Sequence, residues 1–140
     1  MIALVWTGRP LSYGSRGRAK YQERLRSAYI EKFGKDYPKG QTLYGVVYYL
    51  KKTLNTLDAD NLSKPVWDAL SGAAYGDDSE IRLRHAGIVD MRNFNIDEFD
   101  LTHVPDDVSD HLIDAVGREP HVIYIELGPL AIDMFRFGFS

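Results

Sequence analysis

The chain has no cysteine, so disulfides and thiolate metal sites are both excluded, which fits the cytoplasm. It also has no long apolar run. Nowhere do apolar residues approach the ~20 needed for a membrane-crossing helix, and the opening MIALVW has neither a basic leader nor a small-residue cleavage site. A cytoplasmic protein with no membrane partner is therefore expected. Repeats and low-complexity linkers are missing too, and 140 residues suit one domain with a real core better than two.

What is present is unevenly distributed. The net charge of −3 conceals two opposite halves. Residues 1–64 carry 12 Lys and Arg against 5 Asp and Glu, while residues 65–140 carry 5 against 15. The basic half is the candidate phosphate-binding surface, with solvation alone as the plainer explanation of both charges. Its cations concentrate in Arg16, Arg18, Lys20, Arg24 and Arg26, interleaved with Tyr13 and Tyr21. All five are expected phosphate contacts, Arg16, Arg18, Lys20 and Arg24 foremost, with base stacking open to the tyrosines, which are expected rather in the core.

Periodicity predicts a small mixed sheet packed with helices. Ile2 to Trp6 has the look of a short buried strand, and Tyr21, Leu25, Ala28, Tyr29 and Phe33 recur at helical spacing until Gly34 stops the helix. Thr42 to Leu50 is apolar on both alternating faces, as a central strand requires. Ile81 to Val89 is expected to be a strand with Ile81, Leu83 and His85 on one face. Residues 90–120 form an acidic segment with a helix from about Pro105 to Val116, Val122 to Leu127 a final strand, and Phe135, Phe137 and Phe139 alternate at strand period.

The chemistry concentrates in residues 58–78, DADNLSKPVWDALSGAAYGDD. Asp58 and Asp60 are placed at the end of a strand or loop, where residues two apart point the same way. A helix follows with Leu62, Val66, Leu70 and Ala73 on one face, Pro65 being tolerated within its first turn. The Gly76-Asp77-Asp78 turn offers a third carboxylate that can fold back toward the first two. Hard oxygen ligands of this kind suit Mg²⁺ or Mn²⁺ rather than zinc. The plainer alternative is a helix N-cap followed by an acidic turn, because Asp is favoured at both places. An EF-hand is excluded, since Leu62 and Ser63 stand where that loop needs an oxygen ligand and a glycine. A second metal site from His103, Asp107, His111 and Asp114 is a weaker candidate, a pair at helical spacing being usually a surface contact.

Asp58, Asp60, Asn61, Lys64, Pro65, Asp68, Ala69, Leu70, Gly72, Tyr75, Asp77 and Asp78 together resemble the motif of the RusA-type Holliday junction resolvases. The likeness extends more weakly to Gly8-Arg9-Pro10-Leu11-Ser12 and the Arg-rich helix after it, and fades from residue 87 to about 120, where the acidic segment is atypical. The resemblance implies a single small α/β (α+β) domain working as a homodimer. It further implies Mg²⁺-dependent paired nicking of four-way DNA junctions in recombination and repair. On this likeness Asp58, Asp60 and Asp78 would bind the metal, and Lys64 would stabilise charge on the phosphate. A branched-DNA-binding module of the same fold that cuts weakly or not at all is the alternative.

Overall fold

Apolar on both of its faces, β2 (Leu43–Lys51) is the central strand the sequence predicts, flanked on either side by hydrogen-bonded neighbours. In the computed structural model, which describes residues 1–11, 16–54 and 57–139, the sheet is completed by β1 (Ile2–Thr7), β3 (Ile81–Asp90) and β4 (His121–Pro129). The order across the sheet is β1-β4-β2-β3. β4 is antiparallel to β1 and to β2, whereas β3 is parallel to β2. A parallel pair needs a crossover, and α2 (Ala59–Leu70) supplies it. With α1 (Arg18–Phe33) and α3 (Asp106–Arg118), the described residues form one α+β domain of four strands and three helices.

The sheet is covered on both faces. Leu4, Val47, Tyr49, Ile123, Ile125 and Leu127 point to the side of α1 and α2, where Tyr21, Leu25, Tyr29, Val66, Trp67 and Tyr75 close the larger core. Ala3, Val5, Val46, Leu50, Val122 and Tyr124 point the other way, onto Val108, Leu112, Ala115 and Val116 of α3. One glycine fixes the register of helix on sheet. A Cβ on Gly45 would stand 2.5 Å from the Trp67 ring, so the indole lies directly on the β2 backbone.

Three expectations need correcting. Leu43 pairs with Ile81 but Tyr44 with Leu83, so the extra residue Arg82 bulges and reverses the alternation. Ile81 therefore joins the α2-side core, while Leu83 and His85 face the opposite side beside Tyr44, Val46 and Glu126. Pro65 stands in the second turn of α2, not the first; the helix begins at Ala59, and Pro65 removes the amide that would have bonded the Asn61 carbonyl. The aromatic tail is not a strand. After the 3-10 turn Ile132–Met134 it has no regular structure, and Phe137 and Phe139 are 93% and 84% exposed, so these two rings do not close the monomer's core.

Candidate metal and nucleic-acid site

Two side chains of α1 fasten it to α2. Gln22 Nε2 donates to the Pro65 carbonyl at 2.9 Å, and Arg26 Nη1 donates to the Ala69 and Ser71 carbonyls at 3.1 and 2.6 Å. Partners four residues apart on one helix meet partners four apart on the other, so the two helices run in the same direction. The basic start of α1 consequently lies beside the start of α2. The end of β1 meets them there: Trp6 packs edge-on to Tyr21 with ring centroids 5.3 Å apart, while Lys32, a few turns on, reaches Ala3 near the beginning of β1.

This arrangement moves Arg26 out of the expected phosphate contacts. It is half-buried and acts as a C-terminal cap on α2, satisfying carbonyls that the helix end leaves open. Arg16, Lys20 and Arg24 are exposed and Arg18 is partly so. Tyr21 is in the core, as expected, and Tyr13 lies outside the described residues.

Asp58 and Asp60 are on a helix rather than a strand end. Asp58 is the N-cap of α2, accepting from the Asn61 amide at 2.8 Å and from Asn61 Nδ2 at 3.2 Å, and Asp60 belongs to the first turn. The capping preference of Asp overrides the two-residue alternation assumed for them. Lys64 lies one turn beyond Asp60 and forms an ion pair of 3.4 Å with Asp68, so Asp60, Lys64 and Asp68 make one stripe. Asp58 and Asp60 are both exposed to solvent.

Asp78 stands apart from that start. It opens the 3-10 turn Asp78–Glu80 just before β3, its carbonyl bonded by Arg84 at 2.9 Å and its carboxylate 3.8 Å from the same guanidinium. Since Ile81 pairs with the first residue of β2, and Trp67 packs on Gly45, this is the end of the sheet reached by the end of α2. A helix of 12 residues is ~18 Å long, which separates Asp58 and Asp60 from Asp78 toward opposite ends of α2. Asp77 caps the short turn, and the Ser79 hydroxyl bonded to it at 2.6 Å holds its carboxyl below the ordinary value. The nearer company of Asp78 is Asp77, Asp68 and Arg84, whose charges all act on the buried Tyr75 phenol; burial foremost raises that phenol's pKa. Among the described residues no group of three His, Asp or Glu side chains is gathered closely enough to hold a metal ion, the α3 candidates included.

The sequence did not point to two other polar clusters. At the α1 end of the sheet, Tyr49 Oη and His121 Nδ1 are 2.7 Å apart, and the His121 pKa is lowered by burial and then by the charge of Arg9. On the α3 face, Tyr44 and Tyr124 both donate to Glu126, Tyr44 at 2.5 Å. Only knowledge of strand register could have found the second, since it joins residues 82 apart in sequence. No family model matches the chain, and no curated protein matches it.

Proposed function

We propose that the protein is a Mg²⁺-dependent, structure-selective endodeoxyribonuclease acting on branched DNA, of the kind the RusA-like motif implies, and that it works as a homodimer. The observation that carries the reading is the meeting of the basic start of α1 with the carboxylate-bearing start of α2, pinned by Gln22 and Arg26. Lys20 and Arg24, exposed on the flank of α1 that faces the end of β1, can hold backbone phosphates of a strand that runs across the start of α1. Lys64, released from Asp68, can stabilise charge on a phosphate held over α2.

The carboxylates are hard oxygen donors of the sort Mg²⁺ takes. Their placement does not complete a three-carboxylate cage, because Asp78 is drawn to Arg84 at the other end of α2. What the geometry itself supports is the holding of the substrate; the metal step rests on the motif alone. That same separation favours a second reading, a branched-DNA-binding module that cuts weakly.

Cleavage of a synthetic four-way junction in Mg²⁺, beside forks, flaps and linear duplex, separates the two. Asp60→Asn is expected to abolish cleavage while junction binding survives or improves, since a carboxylate beside phosphate repels it when no metal intervenes. Wild-type protein that binds junctions in Mg²⁺ and Mn²⁺ without cutting them would establish the binding module. Near wild-type cutting by Asp60→Asn would remove that residue from the site.

A further inference from the structure

Beside the start of α1 is a cleft of about 410 Å³ that lies outside the carboxylate-bearing run of residues 58–78. The last residues of β1 and the residues after it form one wall, Trp6, Thr7, Gly8, Arg9 and Leu11; α1 forms the other. Its floor is aromatic. The Trp6 indole lies over Gly8, where a Cβ would meet the ring at 2.6 Å, and Gly8 has a positive φ of 147°, so this backbone suits glycine alone. The indole meets Tyr21 edge-on, and the Tyr21 hydroxyl, on a residue only 5% exposed, has no hydrogen-bond partner among the described residues. The rim is cationic, with Arg9, Lys20 and Arg24 all exposed.

An aromatic floor beneath a ring of three cations suits a planar ring joined to a phosphate. The volume is within the range of roughly 300–1,000 Å³ usual for small-molecule pockets. We propose that this cleft takes one unpaired nucleotide of a DNA strand, its base against Trp6 and Tyr21 and its phosphate on Arg9, Lys20 and Arg24. The choice of a DNA strand as its source rests on the branched-DNA reading above, because a branch point is where bases leave the stack at least cost. A fully paired duplex offers no such base, so the cleft would add selectivity for branched over linear DNA.

The two tryptophans make the test direct. Trp6 is half-buried in the cleft and Trp67 is fully buried in the core. Full-length protein is titrated with the oligonucleotide (dT)6, with thymidine 5′-monophosphate and with linear duplex, in EDTA, while indole emission is followed. Quenching by (dT)6 is expected in the wild type and not in Trp6→Phe, which keeps an aromatic ring on Gly8 and whose folding is checked by its thermal midpoint. Arg9→Ala and Lys20→Ala should each raise the Kd for (dT)6 by about three- to tenfold, the effect of releasing one bound phosphate. Lys39→Ala, in the loop after α1, should leave it unchanged. Absent quenching at millimolar (dT)6, quenching that persists in Trp6→Phe, or an equal loss in Lys39→Ala would each overturn the proposal. Binding of the monophosphate as tight as that of (dT)6 would overturn the strand as its source. Quenching needs no cleavage, so a protein that binds (dT)6 at Trp6 but cuts no junction keeps the cleft and loses the nuclease reading. A protein that cuts junctions with its Trp6 emission unmoved does the reverse.

Discussion

The two faces of the sheet are built to different degrees of commitment. On one, α1 and α2 share a core with Trp67, Tyr75, Tyr49 and Leu25 at its centre, and polar side chains tie the helices to each other's backbone. On the other, α3 alone covers the β1 and β4 half with the small side chains Ala3, Val5, Ala115 and Val116. Of β2 it meets Val46 and Leu50, and the rest of the β2 and β3 half is left to Tyr44, Tyr48, Leu83, His85 and the loop from residue 91 to 105. Charge divides the same way: α1 brings cations to the first face, and Asp106, Asp107, Asp110 and Asp114 stand on the helix covering the second. The face that bears the candidate chemistry is thus the one with the larger core and the cross-braced helices, the kind of support a site that must hold its residues in place requires.

Core truncation should measure that difference most strongly. Trp67→Ala is expected to cost about 3–5 kcal/mol and Leu112→Ala, at a side chain that already borders a cavity, toward the low end of about 2–5. Both are buried, but only Trp67 carries α2 against the β2 backbone. Denaturant unfolding with unchanged m-values would compare them. An equal or larger loss at Leu112 would mean that α3, not the helix pair, is the face on which the fold depends.

The cap by Arg26 should have the next largest effect. Arg26→Met keeps most of the apolar stem but leaves two half-buried carbonyls without their donor, at a cost of roughly 1–3 kcal/mol. Amide exchange at residues 71–78 should quicken, because these carbonyls anchor the turn that leads to Asp77 and Asp78. Arg24→Met, exposed on the same helix, is expected to lie within about 0.5 kcal/mol of wild type. If the two variants unfold alike, Arg26 is a surface cation after all.

How legible all this was in the sequence depended on the range of the interaction concerned. Helix faces were plain, since Leu62, Val66 and Leu70 are all buried as their spacing predicts, and Gly34 ends α1 with its amide on the Ile30 carbonyl at 2.7 Å. The nature of β2 as a central strand was equally plain. The Arg82 bulge was not, because it shows only against the partner strand, where one residue of β2 faces two of β3. For the candidate site, residue types were legible and their convergence was not. Local capping holds Asp58 where Asn61 is, and Arg84 holds Asp78, each through partners within six residues. The role of Arg26 depends on the parallel packing of two helices 25 residues apart in the chain, which no periodicity encodes.

The smallest effect concerns the acidic segment. If residues 90–120 bordered the basic surface, their carboxylates would compete with phosphate and act as a gate that only a well-fitted branch displaces. The fold places α3 across the sheet from α1 and α2, with Asp107 reaching around the β1 edge to Lys32 at 3.7 Å. That contact is at the last turn of α1; the start of α1 is separated from the acids of α3 by the sheet and its two cores, farther than a Debye length at physiological salt, about 8 Å. Changing Asp97, Glu98, Asp106 and Asp107 to Asn or Gln should therefore leave duplex and junction affinity within a factor of ~3, the scale of about 0.5 kcal/mol. Lys20→Ala and Arg24→Ala supply the contrasting arm, expected to flatten the slope of log K against log salt by about one unit for each phosphate that the protein no longer holds. A tenfold rise in duplex binding on neutralising the acids, with the slope unchanged in the lysine and arginine variants, would put the DNA surface on the α3 face and reverse the assignment of the two sides.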